Sequence, residues 1–554
     1  MKGVSVMSKL KRREFLQWSG ASLVSLYSNA SLFARQDQPK HVNLLFIMTD
    51  QQRFDTLSVA GNKILQTPNL DCLAKEGVFF QNAYTNCPIC VPARAVILTG
   101  CTIETVHVLG NLDYDSPDVA DVPTFDNILS ENGYATEYYG KWHTPYKFAR
   151  SYDNDVLQTG KQKENPNALS MRNAYVQYLD KHTPARKPHD DELIDNASAR
   201  PYKPDPLDWR YGMTQAESDP LRKKSSKQTE PGQMNIFSQA GSYGCLDIPA
   251  QYSRTAYVAQ QVIAALERLK DKPFSLTCSF GPPHPPMVLP KPYYGTYKQE
   301  HIPVPASIDD PMENSPYAQR ARSEEMQRYR NKGYVRQMIS NYYGMVKEID
   351  DWVGKILEKL KELGLNENTL VIFSSDHGEM LGDHGLHSKM VLYEGAAHIP
   401  LVMRLPAKIR AGSTVSTPVS HVDLFATILD YLEMSPHKSD GRSLRNLIEG
   451  KVDAGPDFCV SEWGASKGPT LMVRTKEYKY ICSHSSKFPS IDALYNLKDD
   501  PHEMNNLVGM NPEKANYQKQ VEQMRSRLIS WLEKIDSPRL RGIKQQEQAV
   551  VSGA

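Results

Sequence analysis

Short apolar runs that stop abruptly at polar residues set the rhythm of this chain. His41-Val-Asn-Leu-Leu-Phe-Ile-Met48 is rich in strand formers and leads into Thr49-Asp50-Gln51-Gln52-Arg53. Similar runs occur at 274–280, 369–374 and 399–403. A run that is apolar at nearly every position suits a strand buried on both faces of a sheet. Between the runs the period lengthens to that of a helix. Val258, Val262, Leu266 and Leu269 share one helical face. Val346, Ile349, Val353, Ile356 and Leu360 share another. Strands alternating with such helices predict an α/β fold, a three-layer sandwich around a large, mostly parallel sheet.

Past residue 450 the pattern shifts. The runs 458–463, 471–474 and 478–482 read as short strands of an antiparallel sheet, and 513–535 reads as a helix. The predicted organisation is a main domain over 35–450, a smaller α+β subdomain over 451–540 and a frayed tail over 541–554. Within the main domain, 146–240 is rich in Lys, Asp, Asn and Pro, and reads as an insertion on the ligand-binding side. At the other end, Arg12-Arg13-Glu14-Phe15-Leu16 precedes a weakly apolar stretch over 18–26, with small residues near Ala30 and Ala34. Basic, apolar and small-residue regions in that order predict a twin-arginine export signal over 1–34, of a bacterial chain sent to the periplasm or secreted.

Composition narrows the classes. Of 554 residues, 40% are apolar, and 65 Lys+Arg against 64 Asp+Glu leave a net charge of +1. This excludes a disordered chain and gives no general attraction to nucleic acid or anionic membrane. No run reaches the ~18 apolar residues of a membrane span, so no transmembrane anchor is expected. The eight cysteines are too few for a disulfide scaffold, and an exported chain has room for one or two bridges.

Candidate chemistry sits at the strand ends, the edge where open α/β sheets bind ligands. Asp50 and Gln51 end the first run, and Asp376 and His377 end the run from 369. Carboxylate and amide oxygens suit a hard cation: Ca²⁺, or else Mg²⁺ or Mn²⁺. His377 is an unusual Ca²⁺ ligand, and the alternative for it is a contact to substrate or to a metal-bound oxygen. The alternative is that both aspartates cap helices. Cys90-Val-Pro-Ala-Arg94 opens a helix, with Pro92 in the first turn and Arg94 one turn on. Cys90 there is either an anion site or a buried structural thiol. A soft thiolate is a poor partner for Ca²⁺. Lys141 and His143 share a face if extended, His284 sits in Pro-Pro-His-Pro-Pro, and Lys389 closes Gly382-Asp-His-Gly-Leu-His-Ser-Lys389. Together these cations suit a tetrahedral oxyanion and its leaving oxygen.

These motifs resemble the sulfatase family of the alkaline-phosphatase-like superfamily. Cys90-Val-Pro-Ala-Arg94 with Leu98-Thr-Gly100 is similar to its first signature, and Gly133 to His143 to its second. Asn43 to Asp50, Asp376 to Lys389, Asp423 to Leu429 and Tyr495 to Glu503 follow in the family's order. The resemblance implies a sulfuric ester hydrolase in which a maturation enzyme oxidises Cys90 to Cα-formylglycine. Its hydrate attacks sulfur through one hydroxyl, and the second eliminates sulfate from the covalent ester. It implies Asp50, Gln51, Asp376 and His377 at the metal, Arg94 and Lys141 supporting the diol, and His143 assisting elimination. It implies His284 and Lys389 on the sulfate, with His284 the favoured proton donor. Gln51 and His377 depart from the commoner aspartate and asparagine, and look like the subgroup of choline sulfatases and phosphonate or phosphate ester hydrolases. Cys101 replaces the usual arginine, and His107 in the altered helix 102–108 is a candidate pocket residue. The implied substrate is a sulfated carbohydrate or small molecule. The alternatives are a phosphorus-ester hydrolase of the same fold and a catalytically silent glycan-binding protein.

Overall fold

β-Branched and aromatic residues with few charges make the first run a strand with no solvent face. The run from 41 becomes β1, Asn43–Asp50, buried at all eight positions. The computed structural model describes residues 41–146, 156–157, 178, 181–182, 193–195, 200–202, 243–246, 248–451 and 455–551, except 112, 114, 115, 117, 286, 465–469 and 484–490. The expected export signal therefore lies outside the described residues, as does most of 146–240.

The main sheet has eight strands. In chain order they are β1, β2 (Val78–Phe80), β3 (Ala135–Lys141), β4 (Val156–Leu157), β5 (Phe274–Pro283), β6 (Thr369–Ser375), β7 (Leu401–Arg404) and β8 (Ser413–Val415). Their order across the sheet is β8-β2-β7-β6-β1-β5-β3-β4. β1 lies parallel to β6 and β5, and β3 parallel to β5 and β4. The run at 399–403, expected with the parallel strands, instead forms β7, antiparallel to both β6 and β2. The connection over 376–400 is long enough for a crossover but forms only a 3-10 turn, Asp383–Gly385, and a four-residue helix, Glu394–Ala397, with no crossover helix to carry the chain back for a parallel strand.

Side chains alternate across β1. Leu45 and Ile47 join a core with α2 (Arg254–Leu269) and α3 (Lys332–Glu362). Phe46 faces the other way and meets Phe125 edge-on at 6.3 Å. On that second face lies α1, Cys90–Thr99, with all ten residues buried. Helices on both faces of the sheet make the three layers expected.

The smaller sheet is antiparallel: β9 (Cys459–Trp463), β10 (Thr470–Arg474), β11 (Tyr478–Ser483) and β12 (Ala493–Asn496). Val460, Val473 and Tyr480 face α4 (Gln518–Lys534), while Cys459, Met472 and Ile481 pack on the main body. The tail is not frayed from 541. α5 spans Leu540–Val551, and Ile543 is fully buried against the α4 face. Arg539 at its start pairs with Glu104 and, at 3.0 Å, with Glu462. All eight cysteines are free thiols.

Candidate active site

The parallel strands deliver their carboxyl ends to one edge. There Asp50 and Asp376 are fully buried and tied together by backbone: the Asp376 N–H donates to the Thr49 carbonyl at 3.1 Å, and the Gln51 N–H donates to Asp376 Oδ1 at 3.0 Å. The β1–β5 register slips between Met48 and Asp50, so that Asp50 lies opposite Pro283 and the next residue, His284, reaches the site. β3 approaches β5 closely at Gly140 (φ +105°), where a Cβ would lie 1.8 Å from the Ser279 carbonyl. Glycine is required there, directly before Lys141.

α1 brings its first residue to the same point. Cys90 Sγ is 3.2 Å from His377 Nε2 and 3.9 Å from Asp50 Oδ1. His377 Nε2 is 3.6 Å from Asp376 Oδ1. Asp50, Cys90, Asp376 and His377 offer ligand atoms all within 4.8 Å of one another. One turn along α1, Arg94 spreads its guanidinium between the carboxylates: Nε donates to Asp376 Oδ2 at 2.9 Å and Nη2 to Asp50 Oδ2 at 3.3 Å. Its Nη1 donates to the Lys141 carbonyl at 2.6 Å, which also accepts from the Tyr138 hydroxyl at 2.6 Å. Lys141 Nζ pairs with Asp50, and Lys389 Nζ donates to Gln51 Oε1.

Charge density shapes protonation here. Burial and Cys90 push Asp50 up, but Lys141, His284 and Arg94 outweigh them and hold it well below the usual carboxylate range. Burial and the neighbouring Asp50 push Asp376 up. Burial raises the Cys90 thiol, yet Lys141, Lys389 and His377 pull it far below the ordinary thiol range. Burial lowers His377, but Asp376 and Cys90 more than offset it, and its net shift is upward. Burial and then Lys389 press His284 down to about 4; burial and Lys141 also lower His143. Lys389 is raised, as Cys90 and Asp50 overcome its burial.

The structure thus gathers Asp50, Gln51, Cys90, Arg94, Lys141, His143, His284, Asp376, His377 and Lys389. His143 does not arrive by strand alternation. β3 ends at Lys141, and His143 takes a left-handed φ of +48° that turns its ring back to a hydrogen bond with Cys90. His107 stands apart: it is exposed, in a left-handed turn closing the short helix Ile103–Val106. Gln51, beside Asp50, puts its amide NH₂ on Glu379 and its oxygen toward Lys389. Glu379, Tyr138, Ser279 and Arg320 escaped the sequence reading. Ser279 carried no distinguishing signal, being one of three hydroxyl residues, with Ser275 and Thr277, that alternate along β5.

For a divalent cation the fit is favourable. Two fully buried carboxylates supply hard oxygens within 4.8 Å of an imidazole nitrogen, a borderline donor that is unusual for Ca²⁺. The unmodified Cys90 sulfur is the one soft member.

A family model described as "Sulfatase" matches residues 42–434, and a second, described as "N-sulphoglucosamine sulphohydrolase, C-terminal", matches 382–534. An arylsulfatase of Clostridium perfringens is 28% identical over 89% of this chain and 94% of its own length. An N-acetylglucosamine-6-O-sulfatase of Bacteroides thetaiotaomicron is 27% identical over 88% of this chain and 86% of its own. Among solved structures, a phosphonate monoester hydrolase from Silicibacter pomeroyi superposes with a TM-score of 0.69, at 24% identity, over 88% of this chain and 95% of that one.

Proposed function

The chain belongs to the sulfatase family, within the alkaline-phosphatase-like superfamily, and is a sulfuric ester hydrolase; from that premise we propose that it removes sulfate from a sulfated carbohydrate in the periplasm or outside the cell. One observation carries the reading: Cys90, at the start of a fully buried helix, faces two carboxylates, two lysines and an arginine. The 6-O-sulfatase relative and the polar segment 146–240 support the carbohydrate. The twin-arginine pattern at 1–34 supports export.

Asp50, Gln51, Asp376 and His377 would hold a divalent cation, Ca²⁺ favoured, which when bound supplies Lewis-acid stabilisation of charge on the sulfuryl oxygens. Converted by a maturation enzyme to Cα-formylglycine and hydrated, residue 90 supplies a hard oxygen nucleophile and a second hydroxyl whose deprotonation expels sulfate. Arg94 fixes the two aspartates that face this nucleophile. Lys141 supplies positive charge beside it, and His143, neutral at pH 7, is poised to take the eliminating proton. Lys389 and His284 grip the sulfate. Lys389 arrives charged. His284, neutral in the free protein, takes a proton from solvent when the anionic ester binds beside it and passes that proton to the leaving oxygen. His107 is exposed on the side of α1 and serves at most an outer contact of an extended ligand.

The Gln51/His377 pair and the likeness to a phosphonate monoester hydrolase favour one second reading, a phosphorus-ester hydrolase. Paired assays decide: kcat/KM for nitrophenyl sulfate should exceed that for bis-nitrophenyl phosphate and phenylphosphonate esters. A screen of sulfated mono- and oligosaccharides then names the sugar. A higher value on the phosphorus esters overturns the sulfatase assignment of substrate; turnover of none supports a silent glycan-binding protein.

A further inference from the structure

We propose that Glu379 is a positioning residue: a single carboxylate fixes both the amide of Gln51 and the loop that carries Lys389. The inference rests on the metal reading above. Glu379 is fully buried. One oxygen, Oε2, accepts from Gln51 Nε2. The other, Oε1, accepts from the N–H groups of Leu381, at 3.2 Å, and Ser388, and lies 3.1 Å from His387 Nδ1. The three hydrogen bonds that this carboxylate makes are therefore all accepted from N–H groups.

Two consequences follow from acceptor-only chemistry. First, Gln51 must turn its NH₂ toward Glu379, which leaves Oε1 facing Lys389. A flipped amide would meet an ammonium with its own N–H groups. Second, the loop between Glu379 and Lys389 cannot hold its shape by local preference. Leu381, His384, Ser388 and Met390 all have positive φ, a costly state for side-chain-bearing residues. Glu379 holds this loop from inside. Arg320 holds it from outside, donating to the carbonyls of His387 at 2.9 Å, Lys389 at 2.5 Å and Met390 at 3.2 Å. Lys389 is thus aimed at Gln51 from a strained loop strapped at both sides.

An amide cannot replace this carboxylate. In Glu379→Gln, an NH₂ group must face either the Gln51 NH₂ or the two loop N–H groups, and donor meets donor in both cases. Exchanging the pair repairs the mismatch. In Gln51→Glu/Glu379→Gln, the new amide donates to Glu at 51 and its oxygen accepts from the loop, while the second oxygen at 51 still faces Lys389.

The test is a double-mutant cycle over Gln51→Glu, Glu379→Gln and the double exchange. Calorimetric titration of metal-stripped protein with CaCl₂ gives Kd, thermal unfolding gives Tm, and nitrophenyl sulfate gives kcat and KM. Glu379→Gln should bind Ca²⁺ about 10–100-fold more weakly and lose kcat more than KM; Gln51→Glu, which sets two buried carboxylates in contact, should lower Tm in the metal-free protein. The exchange should recover Kd to within about fivefold of wild type, and recover Tm in the metal-free protein. Glu379→Gln within twofold of wild type in Kd and kcat, or an exchange no better than the worse single variant, overturns the proposal. If a single variant is too unstable to titrate, the Tm of the exchange alone decides. Wild-type protein that binds none of Ca²⁺, Mg²⁺ and Mn²⁺ sinks the metal reading instead, and the metal-free Tm cycle still judges the Gln51–Glu379 pair.

Discussion

Arg94→Lys keeps the charge at the centre of the site and removes only its shape. The native guanidinium reaches Asp376, Asp50 and the Lys141 carbonyl from three nitrogens at once, with the side chain 1% exposed. An ammonium is one point and cannot span two carboxylates held by different strands. At least one buried aspartate loses a charge-assisted bond, a cost of about 1.5–3 kcal/mol. Arg94→Met removes the charge as well, and breaking a buried pair in that way costs about 3–5 kcal/mol. At the usual entropy per residue, the unit Asn43–Ala554 unfolds with about 1.1 kcal/mol/K, so the expected falls in Tm are about 1–3 °C and about 3–5 °C. Scanning calorimetry with chelator present measures them. Activity should fall further than stability, by about 10²–10³ in kcat/KM for either variant, because the charges facing the nucleophile lose their fixed arrangement. Arg94→Lys with wild-type Tm and kcat/KM within threefold would mean that charge alone, not the forked geometry, organises the aspartates.

Cys90→Ser should fold normally and turn over at under about 1% of wild type, since a serine ester has no second hydroxyl to expel sulfate; peptide mass spectrometry over 87–94 alongside the assay checks it. Full turnover by protein shown to carry only unmodified Cys90 would restore the thiol as nucleophile. His284→Asn should slow sugar sulfates at least about tenfold more than nitrophenyl sulfate, because a nitrophenolate leaves without a proton. Equal losses on both would remove His284 as the acid. Burial pushes Glu348 up to about 7. The fold keeps a proton there that the unfolded chain releases, so this contribution is complete below about pH 4.3 and is lost as pH rises through about 7, by roughly 4 kcal/mol. Glu348→Gln should therefore gain stability over wild type at pH 8 but not at pH 4, as read by Tm across that range.

Strand ends explain what was legible beforehand. Asp50 and Asp376 follow mostly apolar runs, and a parallel sheet sends such ends to one edge, so their meeting is a matter of topology. Cys90 and Arg94 were legible for a local reason, the helical turn between them. The reversal of β7 was not, because an apolar run carries no sign of direction. Nor was the route of His143, which depends on a left-handed turn at a residue that is not glycine. Glu379 was visible as a letter but mute as chemistry: a glutamate after a strand is as often solvated, and only the folded loop shows that donors surround it. The C-terminal helix was missed because Arg539 gains its value from Glu104 and Glu462, hundreds and tens of residues away.

The total burial of α1 sets an order of events in the life of the chain. No second enzyme can fit its own catalytic groups around a thiol packed among Asp50, His377 and the sheet edge without first unpacking that helix. Whatever another protein does to residue 90 must therefore be done to the nascent or unfolded polypeptide. Folding closes that window, and a molecule that folds untouched keeps its architecture but has missed its one appointment with a modifying enzyme. If residue 90 is converted as proposed, a preparation is a mixture fixed at synthesis, and its specific activity reports the race between packing and modification rather than any equilibrium of the finished protein.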